Sequence, residues 1–269
     1  MLSWTSTNLP RWIALAIFVL FSLTMASAAK CSPRVVHVFV ALADNQHQGI
    51  VPVPPALGNG SDPQRNLYWG AAYGVKTFFK ASDEWQLSSC GRGPKDVVLE
   101  RCLFKNRNVN VFLIADAYQS SEIKSAVTDF LSAAAGITAE QIRAKGNSGD
   151  VSIASAGAAD LFVYVGHDAF MDFQIPPIAG ARGTKPRRTI ILVCASKAFF
   201  SPYIRQTGAD PLLWTTGLMA PEAYTLKAAL NGWIANEDDE AIRHRAAVAY
   251  DKYQKCGARA ALKLFATKW

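Results

Sequence analysis

Charged residues make up only 18% of this 269-residue chain, while half of its residues are apolar. That balance excludes a disordered, highly charged chain and supplies enough material for a packed core. Several chemical signatures are also missing. No Cys-x-x-Cys or His-x-x-x-His spacing occurs, so no metal site or other cofactor is expected. No phosphate-cradling glycine loop follows a strand, Gly58-Asn-Gly60 being the nearest attempt, and the Gly-x-Ser-x-Gly nucleophile elbow is absent. Without repeats, low-complexity tracts or linkers, the chain reads as one large domain.

Nor does any apolar run reach the roughly 20 residues that a bilayer-spanning helix needs. The longest, Trp12 to Thr24, has 13 residues, follows Arg11 and precedes Ala26-Ser-Ala-Ala29. A basic start, a short apolar stretch and small residues are the three parts of a secretory signal. Residues 1–29 are therefore read as a signal peptide cleaved near Ala28 or Ala29. Residues 30–269 are the exported domain, periplasmic or secreted, with no stable membrane span. A lipid anchor on Cys31 is disfavoured, because Lys30 stands where such signals carry a small residue.

Five cysteines are an odd number for an oxidising compartment. Cys90 and Cys102 flank Gly91-Arg-Gly-Pro94, which suits a hairpin turn, and Cys31 and Cys256 lie near the two ends of the exported chain. Those pairings leave Cys194 alone, either buried and inert or kept for its chemistry. The net charge of +7 is scattered apart from Lys185-Pro-Arg187-Arg188 and the C-terminal region. With no nucleic-acid motif beside it, that charge reads as a solvated surface, and no nucleic-acid partner is expected.

Five apolar, β-branched runs read as buried strands, at 35–41, 109–114, 161–165, 189–193 and 211–215. Asp62-Pro63 has the form of a helix start and predicts a helix through Leu67, Ala71, Val75 and Phe78. Ser120 or Ser121 caps another, with Ile123, Val127, Phe130 and Leu131 on one face. The Thr138-Ala-Glu-Gln141 spacing predicts a short helix, and Asn147-Ser-Gly149 a turn. Helices are also expected over 198–207, 222–234 and parts of 238–268, with an inserted hairpin around 84–104. The alternation predicts an α/β fold, a three-layer αβα sandwich around a mostly parallel sheet.

In such sheets the ligand crevice lies beyond the carboxyl ends of the strands. Two such ends carry Gly166-His167-Asp168 and Cys194, on strands that follow each other and so are expected as neighbours. An imidazole beside a thiol raises the thiolate fraction and can protonate a leaving amine. His37, inside an apolar run, reads as a core histidine. His47, in the loop after the first strand, reads as a pocket element or an ordinary loop residue, and His244 as surface. Asp168, Asp172 and Asp210 offer acids for a basic substrate side chain.

The order strand–Gly166-His167, strand–Cys194-Ala195-Ser196, helix, strand–Thr215-Thr216, helix resembles the caspase-like cysteine peptidases, the clan of caspases, legumains, gingipains, clostripain and separases. The resemblance covers most of the exported chain. It implies His167 as the catalytic histidine, Cys194 as the nucleophile, Gly166, Asp168 and the His47 loop as oxyanion or pocket elements, and a peptide or protein substrate. The chain departs from the clan in two places. Asp168 replaces the glycine usual after the histidine, and the His167–Cys194 gap is short. Three functions follow as expectations: an exported cysteine peptidase, a non-catalytic binding or scaffolding domain of the same fold, or a structural envelope protein in which Cys194 is inaccessible.

Overall fold

A computed structural model describes residues 32–49, 51–146, 149–178 and 183–269, of which those from Pro33 to Trp269 form one compact unit. The expected signal peptide, Cys31 and the centre of the 147–149 turn lie outside the described residues. Among the described residues no helix is long and apolar enough to cross a membrane.

The central sheet has eight strands in the order β10 (Phe265–Ala266), β9 (Asp210–Thr215), β8 (Arg188–Leu192), β7 (Leu161–Val165), β1 (Arg34–Ala41), β4 (Val111–Tyr118), β3 (Val98–Asn106) and β2 (Trp85–Gly91). Its parallel middle comprises β1, β4, β7, β8 and β9. These strands are apolar at nearly every position because both faces are covered, as parallel sheets require. Odd-numbered positions of β1 face one layer and even-numbered positions the other, following the two-residue period of a strand.

On one face, Val36, Val38, Val163 and Leu192 pack under α1 (Val75–Lys80), α4 (Ala223–Ile234) and α5 (Asp239–Gln254). On the other, Phe39, Ile114, Tyr164 and Ile191 meet α2 (Ile123–Ala134) and α3 (Ser196–Thr207). Phe130 of α2 and Phe200 of α3 meet edge to face at 6.3 Å. Helices on both faces of a largely parallel sheet make this the expected three-layer αβα sandwich.

The hairpin expected around 84–104 is β2 (Trp85–Gly91) and β3 (Val98–Asn106). It joins the main sheet through β3, antiparallel to β4. Cys90 and Cys102 pair across it and form a disulfide with Cα atoms 4.2 Å apart. Closing a loop of a dozen residues limits the unfolded chain by about 2–3 kcal/mol. Reduction is therefore expected to lower unfolding stability by that amount, read as a shift in the urea midpoint with and without dithiothreitol. Cys256 is an exposed free thiol.

Two local expectations are overturned. The Asp62-Pro63 helix does not form, and residues 55–74 run as successive turns before α1 starts at Val75. Side chains capture the backbone instead: Asp62 accepts the Gln64 N–H at 3.0 Å. Asn66 donates to the carbonyls of Ala43 and Asn59 and accepts the Ala43 and Tyr68 N–H groups. Thr138–Gln141 does not open a helix either. β5 (Ala139–Gly146) pairs along its whole length with β6 (Gly149–Ala156), and buried Ala144 and Ile153 face the core. Alternation over eight residues outweighs one capping-box spacing. The C-terminal stretch carries two helices, as expected, and ends in a short strand. After α6 (Ala258–Leu264), Phe265–Ala266 forms β10, antiparallel to β9.

Candidate functional site

Strands β1, β7, β8 and β9 end at one edge of the sheet, and the segments that follow all four enclose a cavity of about 450 Å³. His167 lies two residues past β7 and Cys194 two past β8. The β7–β8 register pairs Val165 with Leu192, so its continuation sets His167 opposite Cys194. Parallel neighbours run about 4.8 Å apart with paired side chains on one face. Both residues line the cavity, and no hydrogen bond joins them directly.

Gly166 allows this arrangement. Its φ is +148°, and a Cβ there would stand 2.7 Å from the carbonyl oxygen of Ala41 at the end of β1. Only glycine permits both the backbone angle and the close approach. His167 is buried, and its Nε2 bonds Oδ2 of Asp172 at 2.7 Å. Asp172 is thus the partner of the imidazole, which leaves Nδ1 as the other ring nitrogen.

Cys194 sits on a sharp strand-to-helix turn. Ala195 adopts φ +46°, an uncommon left-handed conformation for a residue with a Cβ. The turn is clamped from β9. The Ala195 N–H donates to the Gly217 carbonyl at 2.8 Å, and the Ser196 N–H to Thr215 Oγ1 at 3.1 Å. Ser196 Oγ donates to the Ile191 carbonyl and accepts the Thr215 N–H. The thiol of Cys194 is half-buried and free. It receives the Met219 N–H at 3.4 Å.

Asp168 does not line the cavity. Strand alternation turns it to the opposite face, where its fully buried side chain caps a short 3-10 helix by accepting the Phe170 N–H at 3.0 Å. Burial, with the nearby Asp172 charge, pushes its carboxyl up to about 7 against the opposing Phe170 N–H, and its Oδ2 has no partner. The folded protein therefore holds this proton between about pH 4 and 7 while the unfolded chain does not, and stability falls as pH rises through that window. Asp168→Asn keeps the capping oxygen and removes the charge. It is expected to flatten this fall, raising stability at pH 8 by a few kcal/mol at most, about 1.4 kcal/mol for each pH unit of displacement, in denaturant titrations at pH 5 and 8.

His47 lies outside the cavity. Its Nδ1 bonds Asp44 Oδ2 at 2.8 Å, and it borders a separate hollow formed by Asp44 and residues 58–61. Burial alone would raise the Asp44 carboxyl. The N–H groups of Gln46 and His47, the His47 ring and Ser120 outweigh that and hold it below its usual value. The same loop does reach the cavity, through Gly49, Val51 and Val53. Asp210 opens β9 opposite Arg188, the first residue of β8, and so lies at the other end of the sheet. The expected acidic pocket does not form.

His37 is buried in β1, as expected. Its Nε2 bonds Asp116 at 3.0 Å, and its Nδ1 accepts the Ala156 N–H. His244 is exposed. The basic stretch at 185–188 is largely structural. Lys185 pairs with Asp160, Arg188 with Asp239, and buried Arg187 binds the carbonyls of Ala134, Gly183, Lys185 and Thr207.

Two cavity residues escape a reading by sequence. Tyr68 is 5% exposed and lines the cavity, and its hydroxyl has no hydrogen-bond partner among the described residues. Burial and then the neighbouring Cys194 hold its phenol above its ordinary value. Tyr250 of α5 closes the wall and accepts the Ala220 N–H at 3.1 Å. The one pointer to Tyr68 is Asn66, whose four backbone bonds fix the segment, and that is visible only in three dimensions. No family model matches this chain, and neither does any curated protein or solved structure.

Proposed function

We propose that the chain is an exported cysteine hydrolase of the caspase-like peptidase type. Cys194 is its nucleophile and His167 its general acid and base. The observation that carries this reading is a free thiol and a carboxylate-bound imidazole on facing strand ends of one cavity. Asp172 orients the ring, as a third group does wherever a nucleophile and base act together. The Cys90–Cys102 disulfide suits an oxidising compartment.

In this mechanism the Cys194 thiol gives its proton to His167, and its sulfur forms a bond to the scissile carbonyl carbon. The carbonyl electrons move onto oxygen. The Cys194 N–H, which donates to no described residue, is the oxyanion donor. The C–N bond then breaks as His167 returns the proton to the leaving amine. Water hydrolyses the thioester, restoring the thiol and releasing the acid.

A second reading, a binding domain without turnover, draws on a separate observation. The Ala195 and Ser196 N–H groups are already engaged, and thiol and imidazole are not hydrogen-bonded at rest. Incubation with a mixed peptide library, analysed by mass spectrometry, separates the two. The peptidase reading expects cleavage by the wild type and none by Cys194→Ala, and no cleavage by either would overturn it.

A further inference from the structure

We infer that the cavity beside Cys194 selects a large apolar side chain at the residue whose carbonyl is attacked. This rests on the peptidase reading above and names the substrate class of that site.

The cavity is lined by the apolar side chains of Val51, Val53, Leu67, Met171, Leu218 and Met219. Among the described residues no Asp, Glu, Lys or Arg lines it. A charged side chain placed there would lose its water without gaining a counter-charge, which is strongly unfavourable. Val51 (84% exposed), Leu218 (78%) and Met171 (43%) stand at its mouth. Among the described residues only seven large apolar side chains are so exposed, and three of them converge on this opening. Scattered apolar exposure is ordinary, but a cluster rimming a cavity marks a ligand site. The acids that would hold a basic side chain are elsewhere: Asp168 is buried on the opposite face, Asp172 is bound to His167, and Asp210 lies at the far end of β9.

Tyr68 supplies the second, independent pointer. Its hydroxyl is the unpartnered polar group of a nine-tenths-buried side chain on the cavity wall. A phenol held in its neutral form is a hydrogen-bond donor, and a peptide carbonyl flanking the scissile bond is a fitting acceptor. An apolar wall with few placed polar groups is the usual construction of a selective pocket.

Peptide aldehydes provide the probe. The Cys194 sulfur adds to the aldehyde carbon, and the oxygen takes up the thiol proton, so binding needs no turnover. Matched aldehydes ending in leucine, phenylalanine, aspartate or arginine are tested for protection of Cys194 against iodoacetamide, and matched amide substrates for kcat/KM. The leucine and phenylalanine forms are expected to be at least tenfold better in both. Leu218→Asp, which changes an exposed rim residue, is expected to reverse the order in favour of arginine while leaving the unfolding midpoint in place. Equal or better protection by the aspartate or arginine forms overturns the apolar assignment but leaves the peptidase reading standing. Absence of protection by all four, together with no cleavage, overturns both.

Discussion

Asp116→Ala is expected to destabilise the protein by about 3–5 kcal/mol, the usual cost of removing one partner from a buried ion pair. Asp116 lies in the middle of the sheet and is 1% exposed. Arg101 grips both its oxygens, Nε to Oδ1 at 2.6 Å and Nη2 to Oδ2 at 2.7 Å, and reaches Glu140 as well. The Ala156 N–H points at His37 Nδ1, so that nitrogen is an acceptor, and Nε2 carries the proton that it donates to Asp116. Without the carboxylate, the guanidinium and the imidazole N–H lose their shared acceptor under the β5–β6 hairpin.

Acid should have the same effect as the substitution. Burial alone would raise the Asp116 carboxyl, but the bonds from Arg101 and His37 outweigh it and hold the carboxyl below its usual value. Its contribution is present above the unfolded carboxylate range, near pH 4, and is lost as pH falls through the folded value. Urea titrations at pH 7 and pH 3 should show a large gap between wild type and Asp116→Ala at the first pH and a smaller one at the second. An equal gap at both would contradict this account.

The second large effect is on the proposed peptide hydrolysis. His167→Ala is expected to lower peptide hydrolysis by about 10²–10⁴-fold, the range that a positioned acid–base group supplies. Asp172→Asn keeps the imidazole but weakens its orientation, and is expected to reduce kcat by a smaller factor with little change in KM. Stopped assays at saturating peptide separate these outcomes. A His167→Ala protein with undiminished kcat would remove His167 from the mechanism.

Periodicity made much of the fold legible. The apolar runs of β1, β7, β8 and β9 appear within a residue or two of where they were expected, because burial on both faces leaves an unbroken β-branched signal. Gly166-His167 and Cys194 were legible for the same reason, as strand ends bring their neighbours to one edge. Helix-start chemistry misled at Asp62 and Thr138, where long-range partners, Asn66 with the end of β1 and β6 with β5, overrode a local cap.

The second half of β4 went unread because Asp116 interrupts its apolar run, and only Arg101 and His37, distant in sequence, make that carboxylate tolerable. Asp168 and Asp172 look alike in sequence, yet alternation buries one beneath the sheet edge while the other meets His167.

The proposed hydrolysis depends on His167 activating Cys194. Native protein treated with limiting iodoacetamide at pH 7, followed by mass-spectrometric mapping, tests that dependence at the sulfur itself. The expected result is that half-buried Cys194 reacts at least tenfold faster than exposed Cys256, and that His167→Ala abolishes this advantage. Slower reaction at Cys194 than at Cys256, or a rate unchanged by His167→Ala, would contradict it.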